Sequence, residues 1–291
     1  MDILGKRKIW YFISITLIVL SVLFLLLNSL NFGIDFMGGS IIQFSFDEEV
    51  SSNQVREVLE EIQIAENAQI QQFEEDDIPH GIVIRSQDLD PEQTEEMQQI
   101  EEAMADSFSG AELLSSDSVG ASIGSELKSN AIWALVIASI SMVIYISIRF
   151  EFRFAIIAII ALLHDVLITM GVFAMLGLEV NTPFVAALLM ILGYSINDTI
   201  VIFDRIRENM NLMHKTSFME LANKAVVDTL PRSLNTSITT LITVLAIYIY
   251  GGVEIRTFML ALLVGILAGT YSSIFLASPL LVSWSNKFAE E

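Results

Sequence analysis

The sequence predicts an α-helical membrane protein, with six transmembrane helices and a small α+β, ferredoxin-like extracytoplasmic domain between helices 1 and 2. Three observations carry this. Six stretches are apolar for long enough to cross a hydrocarbon core, which takes roughly 17–25 helical residues. Residues 31–128 break that pattern with short alternating segments. The same residues hold 23 of the chain's 35 acidic side chains and only 3 of its 15 basic ones, so they carry the whole net charge of −20, while the remainder has 12 of each sign. A mean hydropathy of +0.61 with 53% hydrophobic residues lies well above a soluble domain. With no cysteine, disulfides and thiolate metal sites are excluded.

Three regions follow: 1–30, a tail and helix 1; 31–128, the acidic domain; and 129–291, helices 2–6 with a C-terminal tail. The apolar spans read Ile9–Leu30, Ala131–Ile148, Phe154–Leu176, Pro183–Phe203, Ser233–Tyr250 and Thr257–Val282. The first follows Lys6, Arg7 and Lys8, as in a signal peptide, but is longer than an h-region and lacks an A-x-A site, so an uncleaved anchor is expected. Of the 15 cations, 11 fall in the two tails and the loops after spans two and four; only Arg56, Arg85, Lys128 and Arg256 fall on the other side. The positive-inside rule therefore puts both termini in the cytoplasm and residues 31–128 on the extracytoplasmic side of the membrane.

Within the insert, SIIQFSF (Ser40–Phe46) reads as a strand, Ser52–Ile62 as a helix with Ser52 as N-cap, and Ala68–Phe73 as a second strand. A turn around Pro79–Gly81, the strand GIVIR, a helix over Pro91–Phe108 and a strand at Ala111–Ser116 complete a β-α-β-β-α-β order. The acids at Glu74–Asp77 and between Asp88 and Glu102 read as a solvated, mutually repelling face, with a surface for cations or basic clients as the competing reading and no EF-hand spacing among them.

Polar groups inside the spans are the exceptions that need a reason. His164 and Asp165 sit near the centre of span three, Asn197 and Asp198 in span four, and Arg232 opens span five ahead of Asn235, Thr236, Ser237, Thr239, Thr240 and Thr243. A carboxylate at membrane depth costs roughly 2.5–3.5 kcal/mol even on lenient scales, which points to a partner or a task. With Gly193 at the midpoint of span four, Asp198 lies roughly 7–8 Å toward the cytoplasm. Tyr194, Asp198, Val201 and Arg205 share one helix face, and Arg232 starts the next span from the same side, in reach of Asp198. A carboxylate alternating between an arginine partner and a desolvated state would bind and release a proton. Static interhelical contact is the competing reading, as positive-inside flanking is for Arg232. The pair Gly265 and Gly269 makes a G-x-x-x-G match for close helix packing.

Five motifs, in this order, resemble the SecF family of the SecD–SecF protein-export complex, within the resistance-nodulation-division superfamily. They are NFGIDFMGGS (Asn31–Ser40), SVGASIGSEL (Ser118–Leu127), LLHDVLI (Leu162–Ile168), GYSINDTIVIFDRIREN (Gly193–Asn209) and LPRSLNTSITTL (Leu230–Leu241). The second departs from the family, which commonly has proline where this chain has Ala121. The resemblance implies a half-transporter that works with SecD and the SecYEG channel, uses the proton or sodium gradient, and assists late steps of preprotein export, with SecA involved indirectly. It implies an ion relay at Asp198 and Arg232, with Asp165 in a motif of less settled role; Asn197, His164, Asn235 and Thr239 are expected as supporting polar groups. Gly33, Asp35, Gly38 and Gly39 carry the family motif outside the membrane. Membrane lipid and preproteins are expected contacts; nucleic acid, a cofactor, a metal and enzymatic activity are not, since no nucleotide loop or hydrolase constellation occurs. A non-energised scaffold subunit and a half-size exporter of drugs or lipids are the competing functions.

Overall fold

The computed structural model describes residues 1–65, 68–75, 78–86, 89, 94–210 and 217–289. Lys215 and the acids Glu66, Asp76, Asp77, Asp88, Asp90, Glu92, Glu290 and Glu291, counted in the charge pattern, lie outside the described residues. The chain divides into two compact units, Phe32–Ile132 and the remainder.

The short β1 (Asn31–Phe32) stands at the boundary, and in the smaller unit a one-turn helix α2 (Ile34–Met37) leads into β2 (Gly39–Ser45). Then come α3 (Ser52–Glu61), β3 (Gln69–Glu75), β4 (Ile78–Ser86), α4 (Thr94–Ser107) and β5 (Glu112–Val119). The sheet order β3-β4-β2-β5 is antiparallel throughout, which is the ferredoxin-like arrangement. Alternation along β2 turns Ile42 and Phe44 to one face, paired with Ile84 and Ile82 of β4, where Val55 and Leu59 of α3 and Ile100 and Met104 of α4 cover them.

Three local expectations change. Ser51, not Ser52, caps α3: Gln54 lies three residues after Ser51, its side chain accepts from the Ser51 N–H at 2.9 Å, and Ser51 Oγ accepts from the Gln54 N–H at 3.4 Å. The stretch Pro79–Gly81 is strand and not turn, since pairing with β2 begins only at Gly81 and Pro79 breaks no bond of that ladder. The second helix is described from Thr94, and Pro91–Gln93 lie outside the described residues.

The larger unit contains α1 (Arg7–Asn28), α5 (Ala121–Arg149, which enters it at Trp133), α6 (Phe152–Leu176), α7 (Thr182–Met210) and α8 (Phe218–Tyr250), with the short β6 (Glu179–Val180) before α7. The last span is one continuous run: α9 (Val253–Ser272), a π-helical turn (Ser273–Ala277) and α10 (Ser278–Ala289). Among the described residues six helices are long and apolar enough to cross a membrane, as expected. Two begin well before their apolar cores, α5 at Ala121 and α8 at Phe218, because hydropathy locates only the apolar part of a helix. Pro231 lies inside α8, where it removes the bond to the Val227 carbonyl. The interior belongs to α6, α7 and α9; α1, α5 and α8 leave most of their side chains uncovered.

The Gly38–Gly39 pair takes φ of 81° and 125°, backbone that side chains disfavour, and thereby turns α2 into β2. Gly124, in the first turn of α5, packs on that turn: a Cβ there would lie 3.0 Å from Gly38 N and 3.2 Å from the Phe36 carbonyl carbon, both backbone atoms that cannot yield. Gly124→Val should therefore destabilise the smaller unit by about 1–3 kcal/mol, by overpacking. Limited proteolysis and thermal melting check this against Gly120→Val, where a Cβ meets nothing within 4 Å and little change is expected.

Candidate ion-coupling site in the membrane bundle

Asp165 on α6 is fully buried, and its carboxylate is held from three sides. Oδ1 accepts from His164 Nδ1 at 2.9 Å, while Oδ2 accepts from Ser195 Oγ of α7 at 2.6 Å and Ser272 Oγ of α9 at 2.8 Å. The contact to a carboxylate puts the imidazole proton on Nδ1, and His164 Nε2 is buried without a hydrogen-bond partner among the described residues. The His164 ring stacks on Tyr271, centroids 5.9 Å apart. Next to this, Thr199 Oγ1 and Ser273 Oγ bond at 2.9 Å, and Ser273 Oγ also donates to the Gly269 carbonyl at 2.8 Å.

Helix packing makes these contacts possible. A Cβ on Gly265 would run into Ile191, and one on Gly269 would lie 2.9 Å from Ser195 Cβ, so the glycines let α9 lie directly against α7. The π-turn begins where α9 meets the site. Ser272 and Ser273, both fully buried, reach different helices, α6 through Asp165 and α7 through Thr199. Ser278 Oγ bonds the Ser273 carbonyl at 3.0 Å across the turn.

Asp198 on α7 is 4% exposed, and its Oδ2 has no hydrogen-bond partner among the described residues. Ser237 on α8 and the charge of Arg232 both act on it, but no direct ion pair joins Asp198 and Arg232, and Arg232 itself is exposed. Ser237 ties three helices, accepting from Tyr194 Oη at 3.3 Å and lying 2.6 Å from Thr270 Oγ1. Ser233, one turn earlier on the same face of α8, is buried with its hydroxyl unpartnered. Asp165 and Asp198 are thus two polar centres in one belt, linked through α7 and α9.

The expected supporting groups divide. His164 joins the site directly. Asn197 is exposed on the outer face of α7, and Asn235 and Thr239 are exposed on α8, where Thr239 Oγ1 bonds the Asn235 and Thr236 carbonyls at 2.9 Å instead of reaching Asp198. Gly33, Gly38 and Gly39 frame the α2 turn, with Asp35 in its first turn. Among the described residues no group of His, Cys, Asp and Glu is arranged to hold a metal ion. Sequence reasoning missed Ser195, Thr199, Thr270, Tyr271, Ser272 and Ser273. The only signal for them was the polar run Thr270–Ser273 inside an apolar span.

A family model for the C-terminal part of the protein-export membrane protein SecD/SecF matches residues 99–287, and one for the SecD/SecF GG motif matches residues 25–50. The chain belongs to the SecD/SecF family. It is 41% identical to the protein translocase subunit SecF of Thermobaculum terrenum, over 98% of this chain and 94% of that one. It is 42% identical to SecF of Sebaldella termitidis, over 97% and 91%. The crystal structure of SecDF from Thermus thermophilus, described as a translocon-associated membrane protein, superposes with a TM-score of 0.89 at 36% identity. That match covers 98% of this chain and 39% of SecDF, so the chain corresponds to well under half of the fused protein. The SecD/SecF GG motif falls on the Gly38–Gly39 turn.

Replacing Asp165 with leucine would strand Ser195, Ser272 and His164 Nδ1 without their acceptor. Asp165→Leu should lower stability by about 2–4 kcal/mol, from stranded buried donors at roughly 1–3 kcal/mol each with partial relaxation, whereas Asp165→Asn, which keeps an acceptor, should lose less than half of that. Thermal unfolding in lipid nanodiscs measures both; equal losses would show that the carboxylate holds nothing together.

Proposed function

We propose that this SecD/SecF family member is a protein translocase subunit in which ion movement through the bundle assists late export of preproteins. Support comes from one observation above all: a carboxylate oxygen of Asp198, buried at membrane depth without a hydrogen-bond partner among the described residues, in the field of an arginine that does not pair with it directly. Such a carboxylate is costly as a fixture and useful as a station that exchanges a charge. In this reading Asp198 is the exchanging group, Arg232 its alternating partner, and Asp165 a second station held by His164 and the serines. One charge crossing 100 mV supplies about 2.3 kcal/mol, enough to bias a two-state bundle.

Family membership ties the chain to SecD. The outer face of α7 supports a docking place for it: Ala186, Met190, Gly193 and Asn197 recur at helical spacing and are exposed, and a Cβ on Gly193 would meet nothing within 4 Å. Contact with SecYEG, an indirect link to SecA, and the cytoplasmic placing of both termini belong to the same proposal, the last resting on the cation distribution. Asp165 alone also supports a packing role, since its carboxylate has three hydrogen bonds.

Asp198→Asn should leave an assembled, membrane-inserted protein whose gradient-dependent export from inverted vesicles falls at least about tenfold, equivalent to 1.4 kcal/mol of lost coupling. Export unchanged in ATP-limited vesicles would rule the relay out, and loss of complex yield would favour a scaffold. Because the native chain has no cysteine, Glu126→Cys and Lys224→Cys report topology directly. An impermeant thiol reagent added to whole cells should label the first and spare the second.

A further inference from the structure

We propose that residues Met1–Gly5 form a strap that clamps the first part of α8, Phe218–Leu230, to α1 and α10 and leaves Pro231 as the joint about which the rest of α8 turns. The proposal deepens the coupling reading and rests on it for the purpose of the movement; the strap itself stands on geometry. Ile3 and Leu4 are 1% and 0% exposed, in one apolar core with Ala222, Ala225 and Val226 of α8 and Leu281 and Val282 of α10. A single side chain of α8 reads the strap's backbone. Asn223 Oδ1 accepts from the Ile3 N–H at 2.8 Å and the Leu4 N–H at 3.1 Å, and Nδ2 donates to the Met1 carbonyl at 2.9 Å. From α1, Trp10 Nε1 donates to the Ile3 carbonyl at 2.9 Å. Buried backbone outside long regular elements needs such partners, and here two side chains serve four of its groups. The strap also closes on itself: the Gly5 N–H donates to Asp2 Oδ1 at 2.8 Å, and a Cβ on Gly5 would collide with that carboxylate. Tyr11 Oη and Ser283 Oγ, 2.9 Å apart, tie α1 to α10.

Packing along α8 changes at Pro231. Before it, Leu221, Ala222, Ala225, Val226 and Thr229 are buried at helical spacing, and α7 holds the same stretch through Asn209 Nδ2, 3.4 Å from the Leu221 carbonyl, and through an Arg205–Asp228 ion pair at 3.1 Å. After it, Ser233, Ser237 and Val244 are the buried positions. The helix is weakest between the two parts. Pro231 offers no N–H to the Val227 carbonyl, and Thr229 Oγ1 bonds back to the Ala225 and Val226 carbonyls at 2.9 and 3.1 Å, a contact that bends helices. A helix held evenly along its length moves as one piece. One that is strapped at one end and interrupted just beyond the strapped part pivots, with the interruption absorbing the change in direction. Arg232 and Ser237 lie on the turning part, whereas Asn223 lies on the fixed part. The pivot therefore shifts the charge of Arg232 and the Ser237–Thr270 contact without unseating the strap.

The test is double electron–electron resonance between paired spin labels on the full chain in lipid nanodiscs, with cysteines introduced into a chain that has none. All four label sites are exposed: Phe152→Cys with Lys224→Cys reports the first part of α8, and Leu176→Cys with Ile249→Cys reports its far end. The first pair should give one narrow distance distribution, the second a broad or two-peaked one. Asn223→Ala should cost the first pair its narrow peak, and Pro231→Ala, which restores the N–H, should collapse the second pair to a single narrow peak. A first pair as broad as the second in the parent chain, a first pair unmoved by Asn223→Ala, or a second pair unmoved by Pro231→Ala overturns the proposal. If Asn223→Ala fails to fold, Leu4→Ala, which thins the buried strap and keeps its bonds to Asn223, takes its place, and an unchanged first pair overturns the proposal equally. A missing pivot alongside an Asp198→Asn variant defective in gradient-driven export would remove the strap's role and leave ion-coupled export standing. A pivot seen together with normal export by Asp198→Asn would keep the strap and remove the coupling.

Discussion

A carboxylate placed where neither water nor a strong cation reaches it must be answered atom by atom, and Asp165 is answered by three helices at once. His164 lies on its own helix, Ser195 on α7 and Ser272 on α9. Those contacts exist only because Gly265 and Gly269 let α9 lie against Ile191 and Ser195, and because the π-turn turns two successive serines inward. The three best-buried helices of the bundle are thus the three that share this carboxylate. In hydrocarbon, apolar side chains gain little by meeting one another, so small residues and polar contacts decide which helices adhere.

Asp198 and α8 obey the opposite logic. Among the described residues one carboxylate oxygen and the Ser233 hydroxyl have no hydrogen-bond partner, and Arg232 exerts its charge from a distance. The helix that carries Arg232 is interrupted by Pro231 and leaves most of its side chains uncovered. Its hydroxyls at Thr236, Thr239, Thr240 and Thr243 bond back to their own helix, which satisfies them without fixing the helix to a neighbour. The helix that bears the counter-charge and the three-helix centre around Asp165 are the two parts that the proposed coupling would move against each other. Ser237, shared by Tyr194 and Thr270, is the point where the two parts meet.

Much of this was legible in the sequence, for physical reasons. Span number follows from run length alone, and the ferredoxin-like order follows from alternation in segments such as SIIQFSF, whose inward residues Ile42 and Phe44 are the core of that unit. Charged and imidazole groups inside spans announce themselves by cost, so His164, Asp165, Asp198 and Arg232 were visible. Serines were not. Ser195, Ser272 and Ser273 are ordinary inside helices, and only three-dimensional packing distinguishes them from hydroxyls such as Thr239 that bond their own backbone. The sequence also overvalued neighbours in the chain: Asn197, adjacent to Asp198, points about 100° away on the helix and onto the exposed side. The Ser51 cap depended on choosing between two adjacent serines, and Gln54 made the choice.

In the proposed coupling, α8 moves against α9 when an ion gradient drives export. Ser237 Oγ and Thr270 Oγ1 lie 2.6 Å apart, so a Ser237→Cys, Thr270→Cys pair in this cysteine-free chain places two thiols at the junction. The most direct measurement is gradient-driven preprotein export from inverted vesicles under oxidising conditions and again after reduction. The disulfide is expected to abolish the gradient-driven stage and leave the ATP-driven stage intact, and reduction is expected to restore export. Gradient-driven export at the uncrosslinked rate with the disulfide fully formed would contradict it.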